Sequence, residues 1–135
     1  MIALAVLVLG CAALVGIQAP ASAGSCTPYG CGGEVYNMNP DFGANDYTVR
    51  VTYAWNANNT AVMNKWAKQV QPQRAAGCHT LVGEELRCDV DGIYTPSGFN
   101  VWCYNQAGDA AYQFTTTGWH KIWNLADVDC ERLPQ

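Results

Sequence analysis

The side chains best suited to acid–base chemistry are scarce, since His79 and His120 are the only histidines in the 135 residues. Together with Arg87 or Lys121 they would make the acid–base couple and phosphate clamp of a ribonuclease-type hydrolase. Glu84 or Glu85 could replace one imidazole as the base. However, His79 follows Cys78 and His120 follows Trp119, positions where an imidazole is commonly structural, and no ribonuclease motif aligns with them. A hydrolase using His79 and His120 is therefore the alternative reading. Two acidic runs stand beside cysteines: Asp89-Val90-Asp91 after Cys88, and Asp127-Val128-Asp129 before Cys130. On a strand the carboxylates of each run share a face, where they could hold calcium or act as a glycosidase pair. No loop of calcium-binding spacing accompanies them, and a small domain offers little cleft for hydrolysis of a sugar chain. No catalytic residue, metal or cofactor is assigned.

Aromatic residues are plentiful, with five tryptophans and seven tyrosines, while charged residues make up only 13% of the chain. Exposed rings could stack on sugars or form a protein-binding patch. Trp55 and Trp66 are expected on core faces, which leaves Trp102, Tyr104, Trp119 and His120 as the candidate binding surface. The net charge of −4 disfavours a phosphate backbone as partner, so no nucleic acid is expected. Asn58-Asn59-Thr60 fits the N-glycosylation acceptor pattern in an expected turn.

The N-terminus bears on how these groups are held. Ile2 to Ile17 is almost unbroken Ala, Val, Leu, Ile and Gly, shorter than the roughly 20 residues a membrane span needs. Pro20 and the small-residue site Ala21-Ser22-Ala23 follow, as in a secretory signal peptide cut after Ala23. The expected organisation is a signal peptide over 1–23 and one secreted domain over 24–135, with no stable membrane insertion after cleavage. Removing the leader takes Cys11 with it. Cys26, Cys31, Cys78, Cys88, Cys103 and Cys130 remain, an even set that reads as a disulfide framework. No C-x-x-C pair favours zinc instead.

The elements expected to position the candidate groups begin after an irregular arm over residues 24–46. Tyr47 to Trp55 alternates as a strand, with Tyr47, Val49, Val51, Tyr53 and Trp55 on one face and Thr48, Arg50 and Thr52 on the other. Asn56 to Asn59 should turn. Thr60 to Val70 should form the main helix, capped by Asn59 or Thr60, with Met63, Trp66 and Val70 inward and Pro72 ending it. Strands Glu85–Val90 and Phe99–Tyr104 should form a hairpin near Pro96, placing Cys88 opposite Cys103 as the favoured bridge. Asp109 either caps a short helix or precedes a strand through Tyr112, Phe114 and Thr116 that turns at Gly118 into Trp119-Lys121-Trp123; Cys130 ties the C-terminus back. The expected fold class is α+β, an antiparallel sheet with one main helix packed on it.

A leader, a small six-cysteine domain rich in Gly, Asn and aromatic residues, and no enzyme motif resemble the small secreted cysteine-rich proteins of filamentous fungi. That resemblance implies an extracellular effector or toxin-like protein, a virulence factor without enzymatic activity. Its partner would be a host or competitor protein or a cell-wall component. A carbohydrate-binding module is the further alternative.

Overall fold

The computed structural model describes residues 33–41, 43, 47–77, 79–80, 86–87, 89–123 and 126–135, with backbone alone at 79–80 and 86–87. The leader over 1–23 and the side chains of Cys26, Cys31, Cys78 and Cys88 lie outside the described residues. The first described strands are β1 (Glu34–Asn37) and β2 (Val49–Thr52), followed by helix α1 (Thr60–Lys65), β3 (Ala67–Val70) and β4 (Arg74–Ala76). Short strands β5 (His79–Thr80) and β6 (Leu86–Arg87) pair with each other. Then come β7 (Gly92–Thr95), β8 (Phe99–Tyr104), β9 (Ala110–Phe114), β10 (Gly118–Lys121) and β11 (Asp127–Pro134).

Two larger sheets enclose one core. A five-stranded sheet runs β4-β1-β11-β8-β9, and a four-stranded sheet runs β10-β7-β2-β3. Only the β1–β11 pairing of the larger sheet is parallel. Val35, Val101, Cys103, Val128 and Cys130 face inward from the first sheet, and Val49, Val51, Val70 and Ile93 from the second. These side chains recur at alternate positions, as a sheet with one buried face requires. Asn37 joins the layers from within. Its buried amide nitrogen donates to the carbonyls of Tyr47 (3.0 Å) and Val70 (2.9 Å), while its carbonyl oxygen accepts from the Asn39 amide (3.0 Å).

This architecture corrects the α+β expectation: the fold is β, and among the described residues the longest helix has six residues. Asn59 does cap α1, accepting from the Val62 amide at 3.2 Å. The helix stops at Lys65, however, and Ala67–Val70 pairs antiparallel with β2. The reason lies in the spacing of Met63, Trp66 and Val70, which suits a helical stripe yet also suits a short helix followed by a strand. Pairing Val70 with Val49 buries Val70 and satisfies backbone groups that the single helix would have left to solvent. Thr52, expected on the wet face, is fully buried, with its hydroxyl 3.1 Å from the carbonyl oxygens of both Met63 and Ala54.

The hairpin near Pro96 is also corrected. The chain does turn there, with the Phe99 amide bonded to the Pro96 carbonyl at 3.2 Å and Gly98 at φ +77°. But the turn is a corner between layers: β7 stays in the four-stranded sheet while β8 enters the other, pairing with β9 and β11. Cys103 consequently lies opposite Cys130, with the Cα atoms 4.0 Å apart, and the two form a disulfide. This replaces the expected Cys88–Cys103 bridge. Both half-cystines are fully buried. In the C-terminal third, strand wins over helix at Ala110–Phe114, because β8 supplies a partner edge.

Candidate functional site

Among the described residues, the outer face of the four-stranded sheet carries a broad concavity. Its central row crosses the strands in register: Trp119 on β10 faces Tyr94 on β7, Tyr94 faces Arg50 on β2, and Arg50 faces Gln69 on β3. Alternation explains the row, since the neighbours Ile93, Val49 and Val51 point into the core. The Tyr94 and Trp119 rings meet edge to face with centroids 5.3 Å apart. The Arg50 guanidinium carbon lies 5.4 Å from the Tyr94 centroid and 5.2 Å from that of Trp119. Its Nη2 donates to Asn64 Oδ1 at 2.9 Å, so helix α1 holds the cation over the two rings.

Trp55 adds a third ring. It packs over Gly92, where a Cβ would come within 3.0 Å of two Trp55 ring carbons and 2.8 Å of the His120 carbonyl oxygen. Glycine is therefore required there for the indole to lie against the strand. Lys121 Nζ lies 5.8 Å from the Trp55 centroid. Trp55, Tyr94 and Trp119, with Arg50, Thr60 and Asn64, border an open groove of about 630 Å³. Asp91 precedes Gly92 and meets the Trp55 backbone. Burial pushes its carboxyl above the ordinary carboxylate value, Asp89 pushes it further, and Lys121 and a hydrogen bond from the Trp55 backbone oppose this.

A smaller depression of about 150 Å³ adjoins the groove through Arg50 and Tyr94, and Arg132 lines its far side. Arg132 belongs to the inward-facing set of β11, at the end of the sandwich, where its guanidinium carbon lies 3.8 Å from the Phe99 centroid and 5.2 Å from that of Tyr47. Asn39 brackets the Arg132 backbone, accepting from its amide at 2.8 Å and donating to its carbonyl at 2.9 Å.

The expected surface residues do not converge. Trp119 lines the groove, whereas Trp102 and Tyr104 lie on the outer face of the five-stranded sheet, where the Tyr104 hydroxyl donates to Glu131 at 2.9 Å. That hydrogen bond and the carboxylate charge raise the Tyr104 pKa. His120 alternates to the opposite side of β10 from Trp119 and Lys121, stacking on Phe114 at 4.5 Å. Its Nε2 lies 2.7 Å from the Thr116 carbonyl oxygen. A carbonyl only accepts, so Nε2 carries the proton and cannot take one from a substrate. His79 and Arg87 are register partners in the β5–β6 ladder, and their side chains lie outside the described residues.

Asp127 and Asp129 share a face as alternation requires, beside Glu34 on β1. Asp89 accepts from the Gly33 amide at 3.4 Å. Among the described residues no three His, Cys, Asp or Glu side chains come together in a metal-binding group. Nor is any helix there long and apolar enough to cross a membrane.

Sequence reasoning missed Arg50 and Tyr94 and placed Trp55 in the core. Arg50 reads as a residue on the wet side of its strand, and Tyr94 lies in the short stretch before the Pro96 turn. The usable signal was Ile93-Tyr94-Thr95 after a glycine, a short alternation that exposes Tyr94. Comparison with protein-family models, with curated proteins and with solved structures finds no match, so the site is interpreted from its own geometry.

Proposed function

We propose that this chain is a secreted, disulfide-bonded binding protein whose aromatic groove takes a carbohydrate chain, with a cell-wall polymer as the partner class. The observation that carries this reading is the in-register Trp119–Tyr94–Arg50 row, bordered by Trp55 and Asn64, on one face of a rigid sheet. A sugar ring presents apolar C–H faces and a rim of hydroxyls. Rings supply the surface for the first, and Arg50, Asn64 and Thr60 supply donors and acceptors for the second. The groove is open to solvent, which suits part of a chain more than a small enclosed ligand. Such a protein acts by occupying a polymer, consistent with an effector-like role outside the producing cell.

A pull-down on insoluble wall polysaccharides, followed by titration of intrinsic tryptophan fluorescence with soluble oligosaccharides, tests the reading. Binding should fall about tenfold in Trp119→Ala and in Arg50→Ala, the loss of one stacking ring or one anchored donor set. Retention by no glycan, or retention of both variants as strong as that of the parent protein, would overturn it. Mass spectrometry of the exported protein should find Gly24 as its first residue, and an intact N-terminus on exported protein would refute the signal-peptide assignment.

A further inference from the structure

The depression beside the groove differs from it in chemistry. Arg50 and Arg132 both border it, and among the described residues neither guanidinium meets a carboxylate. A guanidinium carries five N–H donors. Arg50 places one on Asn64, and Arg132 places one on the Thr48 carbonyl at 3.3 Å. Arg132 Nε is buried without a hydrogen-bond partner. A buried donor left unpaired carries a free-energy cost.

Both guanidiniums are also held in place: Arg50 over Tyr94 and Trp119, and Arg132 against Phe99, with its backbone bracketed by Asn39. Arg50 and Arg132 thus line one depression with donors unused, and a carboxylate matches guanidinium geometry in a bidentate pair. Desolvation lowers the Arg132 pKa, and the neighbouring Tyr47 opposes this in part.

The acidic balance of the whole chain does not oppose this. The carboxylates of Glu34, Asp127, Asp129 and Glu131 lie on the outer face of the other sheet. Fields from exposed charges decay over about 8 Å at physiological ionic strength. One carboxylate on a sugar unit is thus accommodated locally, whereas a dense phosphate backbone would also meet the acidic remainder.

We propose that Arg50 and Arg132 form an anion subsite at the end of the groove, which selects a carbohydrate chain bearing a uronic-acid carboxylate. The inference rests on the carbohydrate reading of the groove and deepens it. The probes are a short homo-oligouronate, the same oligomer with its carboxyls reduced to alcohols, and a sulfated neutral oligomer, each titrated calorimetrically into the mature protein. The oligouronate should bind at least tenfold more tightly than the reduced oligomer. That preference should shrink with added salt, drop to about unity in Arg132→Gln and survive in part in Arg132→Lys. Arg50→Gln gives a second measure of the preference should Arg132→Gln fail to fold. Equal binding of charged and reduced oligomers overturns the subsite and leaves the groove reading standing. Tighter binding of the sulfated oligomer overturns the carboxylate assignment, and binding of none overturns groove and subsite together.

Discussion

The two outer faces of the sandwich are built from similar residues and present opposite chemistry. On the five-stranded sheet, Trp102 and Tyr104 alternate with inward side chains, much as Tyr94 does on the other sheet. Their cross-strand neighbours are Glu131 and Asp129, whereas the neighbours of Tyr94 are Trp119 and Arg50. On the carboxylate face the depression beside Glu34, Tyr36 and Asp129 reaches only about 170 Å³. The other face gains its groove because α1 and Trp55 stand up beside the strands and wall it. Aromatic content alone therefore does not make a groove; a wall must also stand beside the rings.

The strongest way to break this comparison is to remove the tie between β8 and β11, which underlies the carboxylate face. Replacing Cys103 and Cys130 together by alanine should cost about 3–4 kcal/mol, the entropy of closing a loop of this length. The midpoint of urea unfolding measures it. An unchanged midpoint would mean that the parallel β1–β11 pairing holds the sheet without the bridge. A smaller effect should fall on the groove alone. Gly92→Ala places a methyl group against Trp55 and the His120 carbonyl and should cost about 1–3 kcal/mol. It should also shift the tryptophan emission and weaken glycan binding, whereas loss of stability with full binding would show that Trp55 takes no part in the groove.

The smallest effect concerns Asp91, next to the glycine on which Trp55 packs, and depends on pH. Burial and Asp89 raise the Asp91 pKa above its unfolded value, so the native state keeps that proton to higher pH than the unfolded chain does. The stabilising contribution of the protonated carboxyl is fully present below the unfolded value and is lost as pH rises through the folded one. Asp91→Asn keeps an acceptor for the Trp55 amide without the charge. It should therefore be more stable than the parent at pH 7, with the gap closing towards pH 3. Denaturation curves at both values read this, and a gap independent of pH would show that the charge is not the cause.

Much of the core was legible in residues 47–55. Val49, Val51 and Tyr53 alternate and are buried as their spacing implies. The strand ends at Thr52 and the chain bends at Tyr53, so Trp55 leaves the parity of its neighbours and joins the groove. Helix against strand at Ala67–Val70 was not legible, because four residues cannot distinguish the two periods and only the edge of β2 decides. The groove was half legible: Trp119 stands among the candidate surface residues, while Arg50 looks like any solvated strand residue.

From sequence alone the chain determines its short-range features. These include the alternation that buries Val49 and Val51, the Asn59 cap, the turn at Pro96–Gly98, and an inventory of cysteines suited to bridges. Each depends on neighbours within a few residues, where backbone geometry and side-chain type suffice. Only the tertiary structure decided that Cys103 meets Cys130 and that Arg50, Tyr94 and Trp119 stand in one row. Those meetings follow from which strand edges pair and in what register, a choice made by burying the whole core at once, and no local stretch of sequence encodes it.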